Sequence, residues 1–182
     1  MDPMPTFEAL VAEAEAADVA GWDFSWLDGR ATEERPSWGY QRLIAARYAG
    51  VDSALDIQTG GGEVVAGALD LAGGASCTPR TMAATESWAP NLAKAAGLLG
   101  PRGVVVVRDA DEPPLPFADA TFALVTSRHP VTAWWEEIAR VLAPGGTYLA
   151  QHVGPESAFE LIEEFTGPLD AGRRRGGIPT TR

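Results

Sequence analysis

The stretch ALDIQTGGGE, residues 54–63, decides the fold of this chain. A short apolar run with one embedded acid ends in three consecutive glycines and continues into Val64–Leu69. This order predicts a buried strand, a tight loop and a helix. Glycine lacks a Cβ atom, so the backbone can turn sharply there and can approach a ligand closely. In doubly wound sheets such a turn is where nucleotide-like cofactors bind, although a glycine-rich loop can also be only a tight turn.

Around this stretch the chain alternates between strand and helix patterns. We expect strands at 53–57, 80–85, 103–108, 122–126 and 148–152, and helices at 63–71, 89–99, 133–142 and 157–165. The alternation predicts an α/β fold, a doubly wound, Rossmann-like, mostly parallel sheet with helices on both faces. Right-handed crossovers favour the strand order 3-2-1-4-5, with a ligand site at the carboxyl ends of strands one and four.

Two local patterns give sharper expectations. The run GVVVVR at 103–108 predicts a strand that is buried, and Pro144-Gly145-Gly146 predicts a turn that leads into the fifth strand. The segment 1–36 reads as an N-terminal helical and aromatic region, with a helix at 6–18 and aromatic residues between 22 and 30. Those aromatics fit a hydrophobic plug better than a substrate lid. Residues 37–166, opening with a helix at 37–48, form the expected cofactor-binding domain, and 167–182 form a polar, disordered tail.

Length and composition exclude several classes of function. A chain of 182 residues with a net charge of −11 fits one domain and disfavours nucleic acid as a partner. Cys77 is the only cysteine, and there are only two histidines, so neither a disulfide nor a metal site is expected. No signal peptide or membrane-length apolar run is visible, and we therefore expect a cytoplasmic protein without membrane contact.

The glycine pattern does not fit a dinucleotide. Read from Gly60, the G-x-G-x-x-G pattern fails at its third glycine, which is Val65. No phosphate-cradling P-loop is present either. Glu63 is the first residue of the predicted helix, where its negative charge would repel a phosphate bound at the helix N-terminus. The pattern therefore suits a ligand without phosphate. A nicotinamide-dependent oxidoreductase is thus a weak alternative.

Five motifs in order resemble the class I S-adenosylmethionine-dependent methyltransferases, closest to the type 11 methyltransferase domain group. They are Asp56–Gly62 for the family's D-x-G-x-G-x-G, with Gln58 in place of the first glycine, then Glu86, Asp109-Ala110, Leu115-Pro116-Phe117 and Arg140–Gly146. In strand four, Ala123 replaces the acid that is common in the family. The resemblance covers about residues 37–152.

The resemblance implies S-adenosylmethionine as the cofactor and assigns a role to several positions. Gly60 and Gly62 would let the backbone approach the aminocarboxypropyl group, and Asp56 would reach its ammonium. Glu86 would accept two hydrogen bonds from the ribose, although it could instead be a solvated acid at a strand end. Asp109 and Ala110 would contact the adenine, and Ser87 lies where the family often covers it. The remaining implied cofactor-binding residues are Gln58, Thr59 and Ser127.

Methyl transfer needs alignment more than a catalytic base. Ser127, Arg128 and His129 follow strand four and would lie near the methyl group. His129 is the candidate catalytic residue, as a base for a hydroxyl or amine, or it caps the following helix. Because the Asn-Pro-Pro-Tyr signature of base methylation is missing, we expect a small-molecule acceptor.

The chain is also short for this family, whose sheet normally has seven strands. The sequence provides five, so we expect either a reduced fold or a truncated chain. A non-catalytic, methyltransferase-like binding module is therefore the alternative to an active enzyme.

Overall fold

The computed structural model describes residues 5–18, 25–30, 37–154, 157 and 159–169. Its strands are β1 Ser53–Asp56, β2 Thr81–Glu86, β3 Val104–Arg108, β4 Phe122–Arg128 and β5 Leu142–Gln151. Its α-helices are α1 Phe7–Ala16, α2 Tyr40–Tyr48, α3 Glu63–Ala72, α4 Ala89–Leu99, α5 Trp135–Val141 and α6 Phe159–Thr166. Short 3-10 turns lie at Ser25–Leu27, Gly74–Cys77 and Gly100–Arg102.

The five strands form one parallel sheet in the order β3-β2-β1-β4-β5, which confirms the predicted topology. β1 lies at the centre, where Asp56 pairs with Ala84 of β2 on one side and with Thr126 of β4 on the other. The chain winds outward from β1 through β2 to β3, then returns to place β4 on the opposite side. This reversal opens a crevice at the carboxyl ends of β1 and β4.

Each face of the sheet has its own apolar core. One core joins α2, α3 and α4 to the sheet through residues such as Ile44, Tyr48, Leu69 and Leu99, all of them buried. The other lies under α5 and contains Leu55, Phe122, Val125, Ile138 and Val141. The sheet is therefore covered on both sides by helices, as its alternating sequence pattern requires.

Two expectations about single strands were wrong. β3 is the edge of the sheet rather than a buried strand, and Val105 on it is 63% exposed. β5 begins at Leu142, so Pro144-Gly145-Gly146 lies inside the strand instead of before it. Phe122 pairs with Leu142 and Leu124 with Thr147, hence the extra residues bulge out of the ladder, with Gly145 at φ +79°.

The outer segments contribute little to either core. None of the residues of α1 or α6 is buried, and Arg30 forms an ion pair with Glu13 of α1. The predicted aromatic plug is described only from Ser25 onward, and the predicted disordered tail lies outside the described residues beyond Leu169. Within the described segments, no helix has the length and apolar character that a membrane span requires.

Candidate functional site

A cleft of about 630 Å³ opens at the carboxyl ends of β1, β2 and β4. Its volume lies within the range of about 300–1,000 Å³ that is usual for small-molecule sites. Several predicted site residues line it: Asp56, Gln58, Thr59, Gly60, Glu86, Ser87 and His129. Arg128, expected near the methyl group, lines it as well. The remaining lining residues had no predicted contact with the ligand: Gly61, Glu63, Val64, Trp88, Asn91, Asp111 and Val131.

Glu86 holds the glycine loop in place. Its carboxylate is 8% exposed, and Oε2 accepts a hydrogen bond from the Gly60 N–H at 2.8 Å. Oε1 accepts from the N–H groups of Ser87 and Trp88, at 3.0 and 2.8 Å. A carboxylate can accept about four hydrogen bonds, so these three leave little capacity for a ligand. A ribose with two hydroxyls would have to share or displace one of them.

The two glycines that were expected to admit a ligand differ in their surroundings. Gly60 lines the cleft with φ +64°, a conformation that disfavours any side chain. Gly62, with φ +85°, caps α3, and a Cβ atom there would lie 3.0 Å from the Leu99 side chain. Gly62 is thus required by helix packing, and the structure does not bring it to the cleft.

Asp56 is a buried acid at the centre of the cleft floor. It is 5% exposed, and its Oδ1 accepts a hydrogen bond from Thr126 Oγ1 at 2.5 Å. The Tyr48 hydroxyl lies 2.8 Å from the same Thr126 oxygen, which extends the chain of hydrogen bonds to α2. Burial raises the pKa of Asp56 to about 6, while hydrogen bonds from Thr126 and Thr59 act in the opposite direction.

Gln58 spans the mouth of the cleft. Its backbone has φ +57°, which is unusual for a residue with a side chain. Its Nε2 donates to Asp111 Oδ1 at 2.7 Å and to the Thr132 carbonyl at 2.9 Å, and its Oε1 accepts from the Val131 N–H at 2.6 Å. The amide therefore joins the glycine loop to the loops that follow β3 and β4.

The loop after β3 contains the predicted adenine-binding pair. The Asp109 N–H donates to the Glu86 carbonyl at 3.2 Å, so Asp109 and Ala110 lie beside the cleft, although neither lines it. Asp111 lines it instead. Burial raises the pKa of Asp111, the hydrogen bond from Gln58 opposes this, and the charges of Asp109 and Glu86 add to the increase.

The residues after β4 divide between the sheet and the cleft. Ser127 is 1% exposed and donates to the Ile57 carbonyl at 2.9 Å, so its hydroxyl binds the sheet and does not face the cleft. His129 is exposed and lines the cleft at φ +53°, with its N–H donating to the Gln151 carbonyl. The alternative role of His129 as a helix cap is wrong, because α5 begins only at Trp135.

The charges of the cleft are mostly negative. Its lining includes the acids Asp56, Glu63, Glu86 and Asp111, and Glu63 forms an ion pair with Lys94 at 2.7 Å. Among the described lining residues, Arg128 is the only lysine or arginine. This balance opposes a phosphate and favours a cationic ligand.

Arg140 explains why two distant motifs occur together. It forms ion pairs with Glu137 at 2.6 Å and with Asp119 at 2.8 Å, and donates to the carbonyls of Leu115 and Phe117. The Leu115 N–H in turn donates to Glu137. The first residue of the Arg140–Gly146 motif therefore fixes the Leu115–Phe117 loop against α5.

A model of the family described as "Methyltransferase domain" matches residues 55–150. This span contains every predicted site residue. No curated protein matches the chain.

Solved structures match the fold at low sequence identity. An S-adenosylmethionine-dependent methyltransferase from Aquifex aeolicus is 17% identical with a TM-score of 0.52, over 80% of this chain and 88% of that one. A protein from Pyrococcus horikoshii OT3 is 18% identical with a TM-score of 0.53, over 77% and 68%. A functionally unknown protein from Deinococcus radiodurans R1 is 18% identical with a TM-score of 0.52, over 65% of this chain and 53% of that one. This chain therefore spans only about half the length of some of its structural relatives.

Proposed function

Since this chain belongs to the methyltransferase-domain family, we propose that it transfers a methyl group from S-adenosylmethionine to a small-molecule acceptor. The observation that carries the proposal is the position of Glu86. This acid ends β2, as in the family pattern, and its carboxylate lies directly against the glycine loop. A small cleft with mainly acidic walls opens at that point.

The chemistry of the cleft fits the proposed cofactor. S-adenosylmethionine has an ammonium and a sulfonium but no phosphate, and when bound it supplies an electrophilic methyl group. Asp56 and Glu86 provide buried negative charge, which a cation compensates. Glu63 lies in the first turn of α3, where it disfavours a phosphate but tolerates a cationic nucleoside.

The protein's own residues divide into four groups in this proposal. Asp56, with Thr59 and Gly60, binds the ammonium end, while Glu86 holds the ribose and Ser87 lies beside the adenine. Asp109 and Ala110 flank the adenine from the loop after β3. Gln58 and Ser127 act on the shape of the site, because their side-chain donors are already bonded within the protein.

Methyl transfer then depends on alignment. The rigid sheet fixes the cofactor at the ends of β1 and β2, and the loop after β4 presents the acceptor to the methyl group. His129 is exposed on this loop and takes a proton from an acceptor hydroxyl or amine. Arg128 beside it offers positive charge to an acidic acceptor.

The test is calorimetry with S-adenosylhomocysteine. We expect micromolar binding by the wild type, and a loss of at least about tenfold in Glu86→Ala, since the variant loses hydrogen bonds of a charged group. Glu136→Ala removes the same charge from an exposed position on α5 and should bind like the wild type. No binding by the wild type would contradict the proposal.

A second ligand separates ribose contact from loop anchoring, since Glu86→Ala removes both. The 2′-deoxy analogue of S-adenosylhomocysteine should bind the wild type more weakly than the parent compound does. The Glu86→Ala variant should bind the analogue and the parent compound with equal affinity. An equal penalty in both proteins would assign Glu86 to loop anchoring alone. Measured methyl turnover with any acceptor would exclude a purely non-catalytic module.

A further inference from the structure

We propose that Gln58 is a positioning residue that ties the loops after β3 and β4 to the glycine loop and thereby slows the exchange of ligand from the cleft. The proposal rests on the proposed function for the identity of that ligand. It concerns a position where the family pattern has glycine and this chain has a side chain.

Both hydrogen-bond donors of the Gln58 amide are used within the protein. An amide nitrogen has two N–H donors, and here one donates to Asp111 and the other to Thr132. The amide oxygen accepts from Val131. No donor is left for a ligand, so the side chain acts by holding loops and not by binding the cofactor.

The tie crosses the cleft between segments that have no strand pairing to join them. Asp111 follows β3 at one edge of the sheet, and Val131 and Thr132 follow β4, which lies beyond β1. The Trp134 indole N–H also donates to the Asp111 carbonyl at 3.0 Å, so the same two loops meet a second time. Together these contacts form a bridge over the acceptor side of the cleft.

The backbone at Gln58 supports this interpretation. Glycine adopts φ +57° freely, whereas glutamine does so at a cost. Glycine would remove that cost and leave this side of the cleft open. The strained backbone conformation is the one that directs the Gln58 amide at both loops. This coincidence indicates that the hydrogen bonds between the loops have a functional role.

The experiment compares the wild type with Gln58→Gly and Gln58→Glu. Gln58→Gly keeps the backbone conformation without strain, so it is expected to fold, and it removes all three hydrogen bonds. Gln58→Glu keeps the size of the side chain but turns a carboxylate oxygen toward Asp111 and the Thr132 carbonyl, which breaks the tie by repulsion. Gln41→Glu, at an amide that donates to Val64 on α3, controls for the charge change.

Two readouts are measured. Stopped-flow tryptophan fluorescence gives the dissociation rate of S-adenosylhomocysteine, which we expect to rise about tenfold in both Gln58 variants and to stay unchanged in Gln41→Glu. Amide hydrogen exchange should lose protection at Val131 in Gln58→Gly, since Gln58 is the partner of that N–H, and should keep it at Ala66 in α3.

The two proposals fail in different ways. An unchanged dissociation rate in both variants overturns the role of Gln58 in exchange while leaving the cofactor in place. Unchanged protection at Val131 shows that the tie does not exist in solution. If no protein binds S-adenosylhomocysteine, the proposed function fails, and hydrogen exchange at Val131 still decides whether the tie is present.

Discussion

At the scale of single residues, the site contains a carboxylic acid whose ionised form is destabilised by burial in the folded protein. Asp56 lies in the sheet with 5% exposure, and Thr126 Oγ1 is its hydrogen-bond donor. Desolvation disfavours its charged form, and this raises its pKa from 3.8 to about 6. Such a group costs stability in the free protein, and in the proposed function the cationic end of the ligand offsets this cost.

Asp56→Asn should therefore stabilise the free protein at neutral pH. Between pH 3.8 and 6 the unfolded chain releases the Asp56 proton while the folded chain keeps it, so stability falls as the pH rises through this window. Above it the cost is constant and on the order of 2–3 kcal/mol. Urea unfolding at pH 4 and pH 7.5 should show only a small gain for the variant over the wild type at pH 4 and the full gain at pH 7.5.

Asp52→Asn is the control for this measurement. Asp52 immediately precedes β1 but is exposed, so its replacement should change stability little at either pH. A gain for Asp56→Asn that is the same at both pH values would contradict the assigned cause, since it would not depend on ionisation.

Ligand binding should show the same ionisation with the opposite sign. In the proposed function the ammonium of the ligand lies at Asp56 and favours its ionised form, so the affinity of the wild type for S-adenosylhomocysteine should rise as the pH increases through about 6. Calorimetry at pH 5, 6, 7 and 8 measures this. In Asp56→Asn the affinity should be weaker and flat over the range, and a persistent rise would assign the dependence to another group.

The sequence predicts which residues lie at the site better than it predicts the hydrogen bonds that they make. Asp56, Glu86 and the glycine loop follow from a strand, a loop and a helix in order, and they do lie at one cleft. That the Glu86 carboxylate accepts the Gly60 N–H could not be predicted, because this bond depends on how the glycine loop approaches the end of β2. The Gln58 tie was missed for the same reason, although a glutamine in a glycine position was its visible signal.

At the scale of elements, the packing of α3 against α4 depends on Gly62. A Cβ atom at this position would lie 3.0 Å from Leu99 and 3.3 Å from the Ala95 Cα, and φ is +85°. A side chain would thus meet both steric crowding and backbone strain. The glycine keeps the start of α3 close to α4, which in turn sets the position of the glycine loop.

We expect Gly62→Ala to destabilise the fold by about 2–4 kcal/mol, from overpacking together with the unfavourable φ. Gly97→Ala on α4 is the matched control, since a Cβ atom there meets nothing within 4 Å. It should stabilise the helix by about 0.5–1 kcal/mol. Thermal and urea unfolding measure both variants, and equal effects of the two substitutions would refute the packing argument.

The order of the strands and helices could be predicted, but the exposure of β3 and the start of β5 could not. Strand and helix patterns alternate clearly from residue 53 onward, and the resulting topology is correct. The exposure of Val105 could not be inferred from four consecutive valines, because an edge strand of a parallel sheet can be as apolar as a central one. The early start of β5 was hidden by Pro144 and two glycines, which form a bulge inside the strand.

At the scale of the whole molecule, charge works against folding. The chain has 25 acidic and 14 basic residues, for a net charge of −11. Repulsion among like charges favours expansion of the chain, and salt screens it over a Debye length of about 10 Å at 0.1 M.

The melting temperature should therefore rise with moderate salt, by about 2–5 °C between 10 mM and 0.3 M NaCl. Ion pairs such as Arg102 with Asp70 and Arg140 with Glu137 oppose this trend, because salt weakens them too. Calorimetric scans at several NaCl concentrations measure the balance. A falling melting temperature would mean that these pairs outweigh the general repulsion.

The reversal of the chain between β3 and β4 affects which substitutions the cleft can tolerate. The crevice at β1 and β4 exists because of the direction in which the chain winds, and side chains such as Glu86 and Gln58 hold only the loops around it. Mutations could therefore replace much of its lining, one loop at a time, while the scaffold survives each exchange. Gln58 is such a position, because glycine also adopts its φ of +57°, so an exchange there alters the entrance to the cleft and leaves the sheet unchanged.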